Sequence, residues 1–422
     1  MGGYRLILAI ATLLLIGESF AQNLPIDLDG GWVLSWSDEF DYPNEQLDER
    51  WTSQNNSSGG MVMCSRWRDN VEVHDDILEI TIRKENRAGQ EWSAGSIWTK
   101  EQFHYGYYEC RYKYAGATGT NNSFWMWPVG GVKEGEKKYE LDVNEGHYPA
   151  TINTNFHNWS DKYEDGSHDT WPQVHNMGKG GKIESAYSHQ FQEGEIKAYK
   201  IRFSSTSLYP FTMGEFSIYA PSESGYPEDP TDYEAIAQTK GLVNLAQATT
   251  TTLTTSRGKE VDGLPSDHRN LIDGKGRAWL APGEGEKWIE FDFGSAQDIG
   301  CIQFTNGWNH KGNLKGVVHD YKIEYYDGNK WCEATTRNYY GGVDLSEEYH
   351  TYGMLWDQEK ISYYFDGELL RTHYHSDIIS PTNIYLSLAI LTQEYAGAVT
   401  DQLDGKSMKV DYVRYYEYKS RE

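Results

Sequence analysis

Apolar and polar residues alternate in short runs along most of the chain, and stretches with a helical period are scarce. Gly, Asn and Asp separate these runs, as they do in the turns between antiparallel strands. In the first half, the runs lie at 71–73, 77–82, 106–112 and 123–127. In the last segment, they return at 349–353, 361–365, 384–390 and 408–416. The pattern predicts an all-β fold, a large antiparallel sandwich to which both ends of the chain contribute.

A region of different character separates the two halves. It contains a linker rich in Pro, Ser and Gly at 222–231 and a Thr-rich stretch at 249–255. Strand-like runs resume at 288–293, 300–305 and 320–326. We interpret this region as a second β domain inserted into a loop of the first, because exposed loops tolerate such insertions. The predicted boundaries are 22–181 and 343–422 for the two parts of the host domain, and 182–342 for the insert.

The N-terminus predicts export. Arg5 precedes an apolar run at 6–16, and small residues up to Ala21 follow it. This is the layout of a secretory signal peptide, which we place at residues 1–21. The run is too short to span a bilayer and no later run is long enough, so no membrane insertion is expected. We therefore expect a secreted or periplasmic protein, and a monomer.

Composition narrows the classes of partner. The chain has 38 Lys and Arg against 63 Asp and Glu, and a net charge of −25 repels nucleic acid. Aromatic residues make up 14% of the chain, which excludes a mostly disordered protein. Trp and Tyr rings stack on sugars, although a β-rich core uses the same residues. The four cysteines leave open either two disulfides, in any of three pairings, or free buried thiols. Of these pairings, Cys64–Cys110 with Cys301–Cys332 would keep each bridge within one predicted domain.

The segment 139–146 carries three carboxylates within six residues. On a strand, Glu140 and Asp142 point to the same face, because side chains alternate with a period of two. Strict alternation sends Glu145 to the opposite face, and a single bulge between Asp142 and Glu145 would return it. Crowded carboxylates push their pKa values apart, so that one group keeps a proton while another stays ionised. Two carboxylates about 5–5.5 Å apart serve a retaining glycosidase as nucleophile and acid/base.

The neighbours of this motif favour a sugar cleft. Taken alone, the three acids also fit a solvent-facing acidic strand or a calcium site. However, Trp125 and Trp127 lie on the preceding predicted strand, and His157 and Trp159 lie on a following one. Acids framed by aromatic rings and an imidazole are typical of sites that bind and cleave sugars.

The pattern Glu-x-Asp-x-x-Glu at 140–145 resembles the signature of glycoside hydrolase family 16. Flanking motifs agree with the family at 36–40, 47–51, 123–125, 349–353, 364–367 and 410–414. The resemblance covers about 32–181 and 343–418 and implies a β-jelly roll with a curved substrate cleft. It implies that Glu140 is the nucleophile, Asp142 its assistant and Glu145 the general acid/base, with no cofactor required for the chemistry. It also implies a structural calcium ion on the convex face, with Asp411 at the matching position.

The resemblance implies a polysaccharide substrate. Asn153-x-Asn155-x-His157-x-Trp159 is similar to galactan-active members, which act on agar, porphyran or carrageenan. We expect Trp125, Trp127 and Trp159 to stack on substrate and His157 to make a polar contact. Arg66 and Arg68, beside Trp67 on an early loop, are predicted to meet sulfate groups, with ordinary surface arginines as the alternative.

Three other functions stay open at this point. One is a β-1,3-glucanase that acts on laminarin, and another is a non-catalytic polysaccharide-binding protein. The third is transglycosylation, in which a sugar replaces water as acceptor. Intact Glu140, Asp142 and Glu145 argue against a pure binding protein, which has no use for crowded acids.

The inserted region resembles the galactose-binding-like (discoidin) β-sandwich at 271–274, Trp279 and 288–294. The strand pair that normally ends such a domain comes first here, at 198–203 and 214–219. This order implies a circularly permuted domain. The candidate sugar contacts are Trp308, Asn309 and His310, and a purely structural insert is the alternative.

Overall fold

The computed structural model describes residues 24–26, 30–180, 183–207, 209–256, 268–276, 279–281, 287–310, 313–392 and 396–419. The predicted signal peptide at residues 1–21 lies outside these residues. Strands dominate the described part of the chain, so the all-β prediction is confirmed. The α-helices found there are short, α1 (Leu47–Arg50) and α2 (Tyr233–Gln238). Single 3-10 turns lie at Asn44–Gln46, Arg68–Asn70, Leu245–Gln247, His268–Leu271 and Asp401–Leu403.

The strands are numbered in chain order. Those before the middle region are β1 (Trp32–Asp38), β2 (Trp51–Ser53), β3 (Cys64–Arg66), β4 (Val71–His74), β5 (Ile77–Thr81), β6 (Arg83–Arg87), β7 (Gln90–Ala94), β8 (Ser96–Thr99), β9 (Gly106–Lys113), β10 (Thr120–Trp127), β11 (Tyr139–Gly146), β12 (Thr151–Lys162), β13 (His168–Thr170) and β14 (Gln173–Asn176). Those of the middle region are β15 (Ala186–Gln190), β16 (Ile196–Ser205), β17 (Phe211–Met213), β18 (Phe216–Tyr219), β19 (Thr252–Thr255), β20 (Trp279–Ala281), β21 (Lys287–Ile299), β22 (Cys301–Thr305), β23 (Trp308–His310), β24 (Asn313–Lys315), β25 (Tyr321–Tyr326) and β26 (Trp331–Arg337). The last segment adds β27 (His350–Trp356), β28 (Lys360–Phe365), β29 (Glu368–Tyr374), β30 (Asn383–Ile390) and β31 (Ser407–Tyr418).

Two large antiparallel sheets combine strands from both ends of the chain. Sheet A has the order β29-β28-β27-β9-β31-β5-β4, with β1 paired to β31. Sheet B has the order β13-β12-β11-β10-β30-β8-β2, with β14 paired to β12. Both sheets contribute to one hydrophobic core, for example Tyr112 and Met354 from sheet A with Leu141 and Leu388 from sheet B. The first and last segments therefore fold as one sandwich, because neither sheet is complete without the other segment.

The middle region forms its own sheets and its own core. Its sheets have the orders β19-β21-β16-β25-β26 and β15-β22-β18, and the hairpins β17-β20 and β23-β24 complete the described part. Phe203, Phe216 and Phe304 pack with the buried Trp279 in a core separate from that of the two large sheets. The two units meet where the Tyr209 hydroxyl donates to the Tyr148 carbonyl at 2.6 Å. The domain boundaries and the permuted strand order stay predictions.

Cys64, Cys110, Cys301 and Cys332 all lie in the described part of the chain and are free thiols. Cys64, Cys110 and Cys301 are buried, which matches the free-thiol alternative. Among the described residues, no helix is long and apolar enough to cross a membrane.

Candidate active site

The three carboxylates lie on β11 in the middle of sheet B. In the pairing of β10 with β11, Phe124 is opposite Asn144 and Trp125 is opposite Asp142. Val143 therefore has no partner of its own on β10, and the predicted bulge between Asp142 and Glu145 is confirmed. The bulge leaves Leu141, Val143 and Asn144 buried on the core side. Glu140, Asp142 and Glu145 consequently share the outer face of the sheet.

Glu140 is surrounded by groups that act on its charge in opposite directions. Burial, together with the neighbouring Asp142 carboxyl, raises the pKa of Glu140 to about 8. The indole Nε1 of Trp159 donates a hydrogen bond to Glu140 Oε2 at 3.0 Å. That bond favours the ionised form, which a nucleophile needs.

Asp142 is 1% exposed, and its Oδ2 accepts no hydrogen bond from the described residues. Burial, then the charge of Glu145, raise the pKa of Asp142 well above its ordinary value, against the field of Arg371. His157 Nε2 lies 3.3 Å from Oδ2. Asp142 is therefore the carboxyl of the three that is best suited to hold a proton.

Glu145 lies at the opposite end of the motif from Glu140. Asn121 on β10 donates from Nδ2 to Glu145 Oε1 at 3.0 Å. Glu145 is partly exposed, whereas Asn121 is 6% exposed. This carboxyl can therefore exchange protons with water while its orientation is fixed by a buried amide.

His157 connects the acids to residues that the sequence analysis missed. Its Nδ1 lies 3.1 Å from His168 Nε2, and its Nε2 lies 2.7 Å from the Asn155 amide nitrogen. His168 also stacks on Trp159, with ring centroids 3.9 Å apart. No motif marked His168, because it belongs to a three-residue strand that follows a turn and pairs irregularly with β12.

Aromatic rings cross sheet B next to the acids. Trp125 donates from Nε1 to Ser387 Oγ at 3.1 Å, and its ring lies 4.3 Å from the ring of Tyr385. Tyr385 in turn stacks on Trp98 at 5.4 Å. Trp98 and Tyr385 were missed, since they lie on β8 and β30, far from the motif in sequence. The row provides stacking surfaces from β10 to β8.

Trp127 lies two residues after Trp125 on β10, with its ring edge-on to Trp159 at 5.8 Å. The Lys138 amine lies 4.1 Å from the centre of the Trp127 ring. The structure thus brings Trp125, Trp127, His157 and Trp159 together around the carboxylates. Their contacts with substrate stay predictions.

Arg66 and Trp67 lie at β3, outside this cluster. Among the described residues, no contact joins either of them to the three carboxylates. The Arg87 guanidinium lies 3.9 Å from the centre of the Trp67 ring. Arg66 Nε is buried without a hydrogen-bond partner in the described part of the chain, and burial lowers the pKa of Arg66. The Arg66 residue as a whole is only partly buried, and its predicted sulfate contact stays a prediction.

Asp411 forms an ion pair with Arg111. Arg111 already supplies a positive charge there, and calcium prefers several oxygen ligands. The residues around Asp411 therefore do not fit a calcium ion well, and that ion stays a prediction. Within the described ranges, only Glu140, Asp142 and His157 place three potential ligand atoms within 4.8 Å of one another. This spacing does not identify them as metal ligands, because groups that exchange protons pack equally closely.

Comparisons with known proteins identify two families that match parts of this chain. The family model described as glycosyl hydrolases family 16 matches residues 60–191 and 312–414, and the F5/8 type C domain model matches 247–353. The endo-1,3-1,4-beta-glycanase ExsH of Rhizobium meliloti (strain 1021) is 29% identical over 142 residues, 33% of this chain and 26% of that protein. A beta-glucanase of Rhodothermus marinus is 31% identical over 121 residues, 27% of this chain and 42% of that protein.

The chain thus spans between a quarter and about two-fifths of the length of these two curated relatives. Among solved structures, the endo-beta-1,3-glucanase from Pyrococcus furiosus is 16% identical with a TM-score of 0.47, and the match covers 94% of this chain and 98% of that chain.

Proposed function

The chain belongs to glycosyl hydrolase family 16, and from this premise we propose that it is a retaining endo-β-glycosidase that cleaves a polysaccharide. The family and the F5/8 type C match also agree with the predicted jelly roll and discoidin-like insert. The observation that carries the proposal is the bulge at Val143, which places Glu140, Asp142 and Glu145 on one face of β11.

The proposed mechanism is a double displacement. Glu140 attacks the anomeric carbon, and the new bond replaces the glycosidic bond while Glu145 transfers its proton to the leaving oxygen. Glu145 then removes a proton from water, and the resulting hydroxyl displaces Glu140 with net retention. Asp142 keeps the proton that it shares with Glu140, which supports the ionised state of the nucleophile. The Trp159 indole stabilises that same state through its bond to Oε2.

Two substrate classes are supported by different observations. The curated relatives are named for activity on β-1,3-1,4-glycans and β-glucans, which favours a β-glucan such as laminarin or lichenan. The pattern from Asn153 to Trp159 favours an agar-, porphyran- or carrageenan-type galactan, as does Arg66, whose Nε has no hydrogen-bond partner among the described residues. We further propose that the protein is exported by its signal peptide and acts as a monomer.

The test is reducing-end release by residues 22–422 on agarose, porphyran, carrageenans, laminarin and lichenan. Glu140→Gln is expected to abolish turnover and keep the fold, because it removes only the negative charge of the nucleophile. The matched control is Glu368→Gln, an exposed glutamate on sheet A, which should retain full activity. Proton NMR of the first product should show the β anomer.

Each outcome decides between the candidates. Activity on one galactan or one glucan selects the substrate, whereas an initial α anomer refutes retention. Activity that survives in Glu140→Gln refutes the assignment of the nucleophile. If no substrate is cleaved but one retards the protein in affinity gels, the protein is a polysaccharide-binding protein. New oligosaccharides that form without a net rise in reducing ends would indicate transglycosylation.

A further inference from the structure

The protonation state of His157 can be read from its neighbours. Asn155 Oδ1 accepts the backbone N–H of Phe156 at 2.8 Å and the Thr170 hydroxyl at 3.0 Å. Because the backbone N–H can only donate, the amide oxygen must face Phe156, and the amide nitrogen must face His157. That nitrogen lies 2.7 Å from His157 Nε2. Nε2 therefore accepts a hydrogen bond and carries a lone pair.

The ring proton of neutral His157 must then be on Nδ1. The partner of Nδ1 is His168 Nε2 at 3.1 Å, which accepts this proton in a hydrogen bond. A positively charged His157 ring would carry hydrogen on both nitrogens and would place Nε2–H against the Asn155 amide donor. The arrangement of Asn155 and His168 thus selects the neutral Nδ1–H tautomer.

We infer that His168 is a positioning residue that keeps His157 in this tautomer, so that a lone pair rather than a donor faces Asp142 Oδ2. A lone pair at 3.3 Å disfavours an ionised Asp142 and favours a protonated one. The proton shared by Asp142 and Glu140 is thereby held on Asp142. The consequence for catalysis rests on the proposed function, since only an ionised Glu140 can act as nucleophile.

Other charged groups also face this cluster. Glu140 and Asp142 approach His157 from β11. Burial lowers the pKa of His168, Lys162 on β12 lowers it further, and Asp169 on β13 raises it. The positive charge of Arg371 opposes the rise in the pKa of Asp142 that burial and Glu145 cause. None of these groups replaces the acceptor that His168 offers to Nδ1, so the tautomer depends on His168 and Asn155.

Loss of the His168 acceptor has a defined result. In His168→Phe the new phenyl ring can still stack on Trp159, but the Nδ1–H of His157 loses its hydrogen-bond acceptor. The His157 proton then partly moves to Nε2, where it donates to Asp142 and the hydrogen bond from Asn155 is lost, and the shared carboxyl proton moves to Glu140, so that no proton is gained or lost. Because one hydrogen bond sets this balance, we expect kcat to fall about three- to ten-fold with little change in KM.

The direct test is long-range ¹H–¹⁵N NMR of the histidine rings in the full mature chain, with His157 assigned by its loss in His157→Gln. Wild type should show the Nδ1–H pattern, and His168→Phe should show a mixture with Nε2–H. His168→Gln, whose amide oxygen can accept from Nδ1, should restore the wild-type pattern and most of kcat. Asn155→Asp, which replaces the donor by an acceptor, should give Nε2–H.

His175→Phe is the matched control, since His175 contacts Thr154 on the same strand and not His157. It should leave the His157 pattern unchanged. An Nε2–H or doubly protonated His157 in wild type would overturn the inference, as would an Nδ1–H pattern that survives unchanged in His168→Phe. The tautomer is measured without substrate, so the NMR result does not depend on the proposed function. A protein inactive on every polysaccharide would refute the proposed function, whereas the His157 tautomer would still be decided by the NMR spectra.

Discussion

The hydrogen bond from Trp159 to Glu140 gives the most direct test of how the site controls its nucleophile. In Trp159→Phe, the ring that stacks on His168 remains, but the donor 3.0 Å from Glu140 Oε2 is lost. A hydrogen bond to a charged group contributes about 1.5–3 kcal/mol. The bond stabilises only the ionised carboxylate, so its loss raises the pKa of Glu140 above its value of about 8.

Because Trp159→Phe raises the pKa of Glu140, the assay must compare activity at several pH values. Below the pKa of Glu140 less of the nucleophile is ionised, so kcat/KM should fall about 10- to 100-fold there. The loss should shrink as pH rises and the carboxyl ionises in both proteins. The measurement is kcat/KM from about pH 5 to pH 10 on the best substrate, with the fold followed by circular dichroism.

Trp127→Phe is the control, because this indole lies edge-on to Trp159 and makes no contact with Glu140 among the described residues. Its effect on kcat/KM should be the same at every pH. An equal loss at all pH values in Trp159→Phe would show that the indole acts only as a sugar platform. No loss at any pH would show that the bond has no role in the reaction.

The remaining predictions concern the acid/base and the core. Asn121→Ala removes the amide that donates to Glu145 at 3.0 Å, and it should lower kcat about ten-fold with little change in KM. Steady-state kinetics would measure both constants, and a change in KM alone would contradict this prediction. Asn144 is fully buried and donates to the hydroxyls of Tyr112 and Tyr114 at 2.7 and 2.8 Å, so Asn144→Ala should lower the free energy of unfolding by about 2–3 kcal/mol in urea. Burial raises the pKa of Glu109 above its ordinary 4.5, so the folded state binds its proton more tightly and stability should fall as pH rises from about 4.5. Glu109→Gln should weaken that fall in thermal melts, and an unchanged pH dependence would refute this account.

Sequence reasoning found the catalytic strand because its features are local. The alternation on β11 and the need to bring Glu145 to the face of Glu140 are contained within six residues, and the bulge at Val143 follows from them. Trp125 and Trp159 were found for the same reason, since they lie on the strands that flank β11.

Other parts of the site depend on long-range pairing. Tyr385 meets Trp125 only because β30 returns to pair with β10 after the whole middle region has intervened. His168 is placed by the short strand β13, whose pairing with β12 carries no apolar pattern that could reveal it. Arg66 was chosen from its neighbours in sequence alone, and its contact with substrate stays a prediction.

The three carboxyls differ in what surrounds them, and this difference explains how similar groups can take different roles. Burial raises the pKa of both Glu140 and Asp142, so that two negative charges at this site are disfavoured near neutral pH and the pair keeps one proton. The Trp159 indole donates to Glu140, whereas Asp142 Oδ2 faces a nitrogen that already accepts from Asn155. A donor beside one carboxyl and an acceptor beside the other place the proton on Asp142. In the singly protonated pair Glu140 is then the ionised member and can attack, because Asp142 holds the one proton.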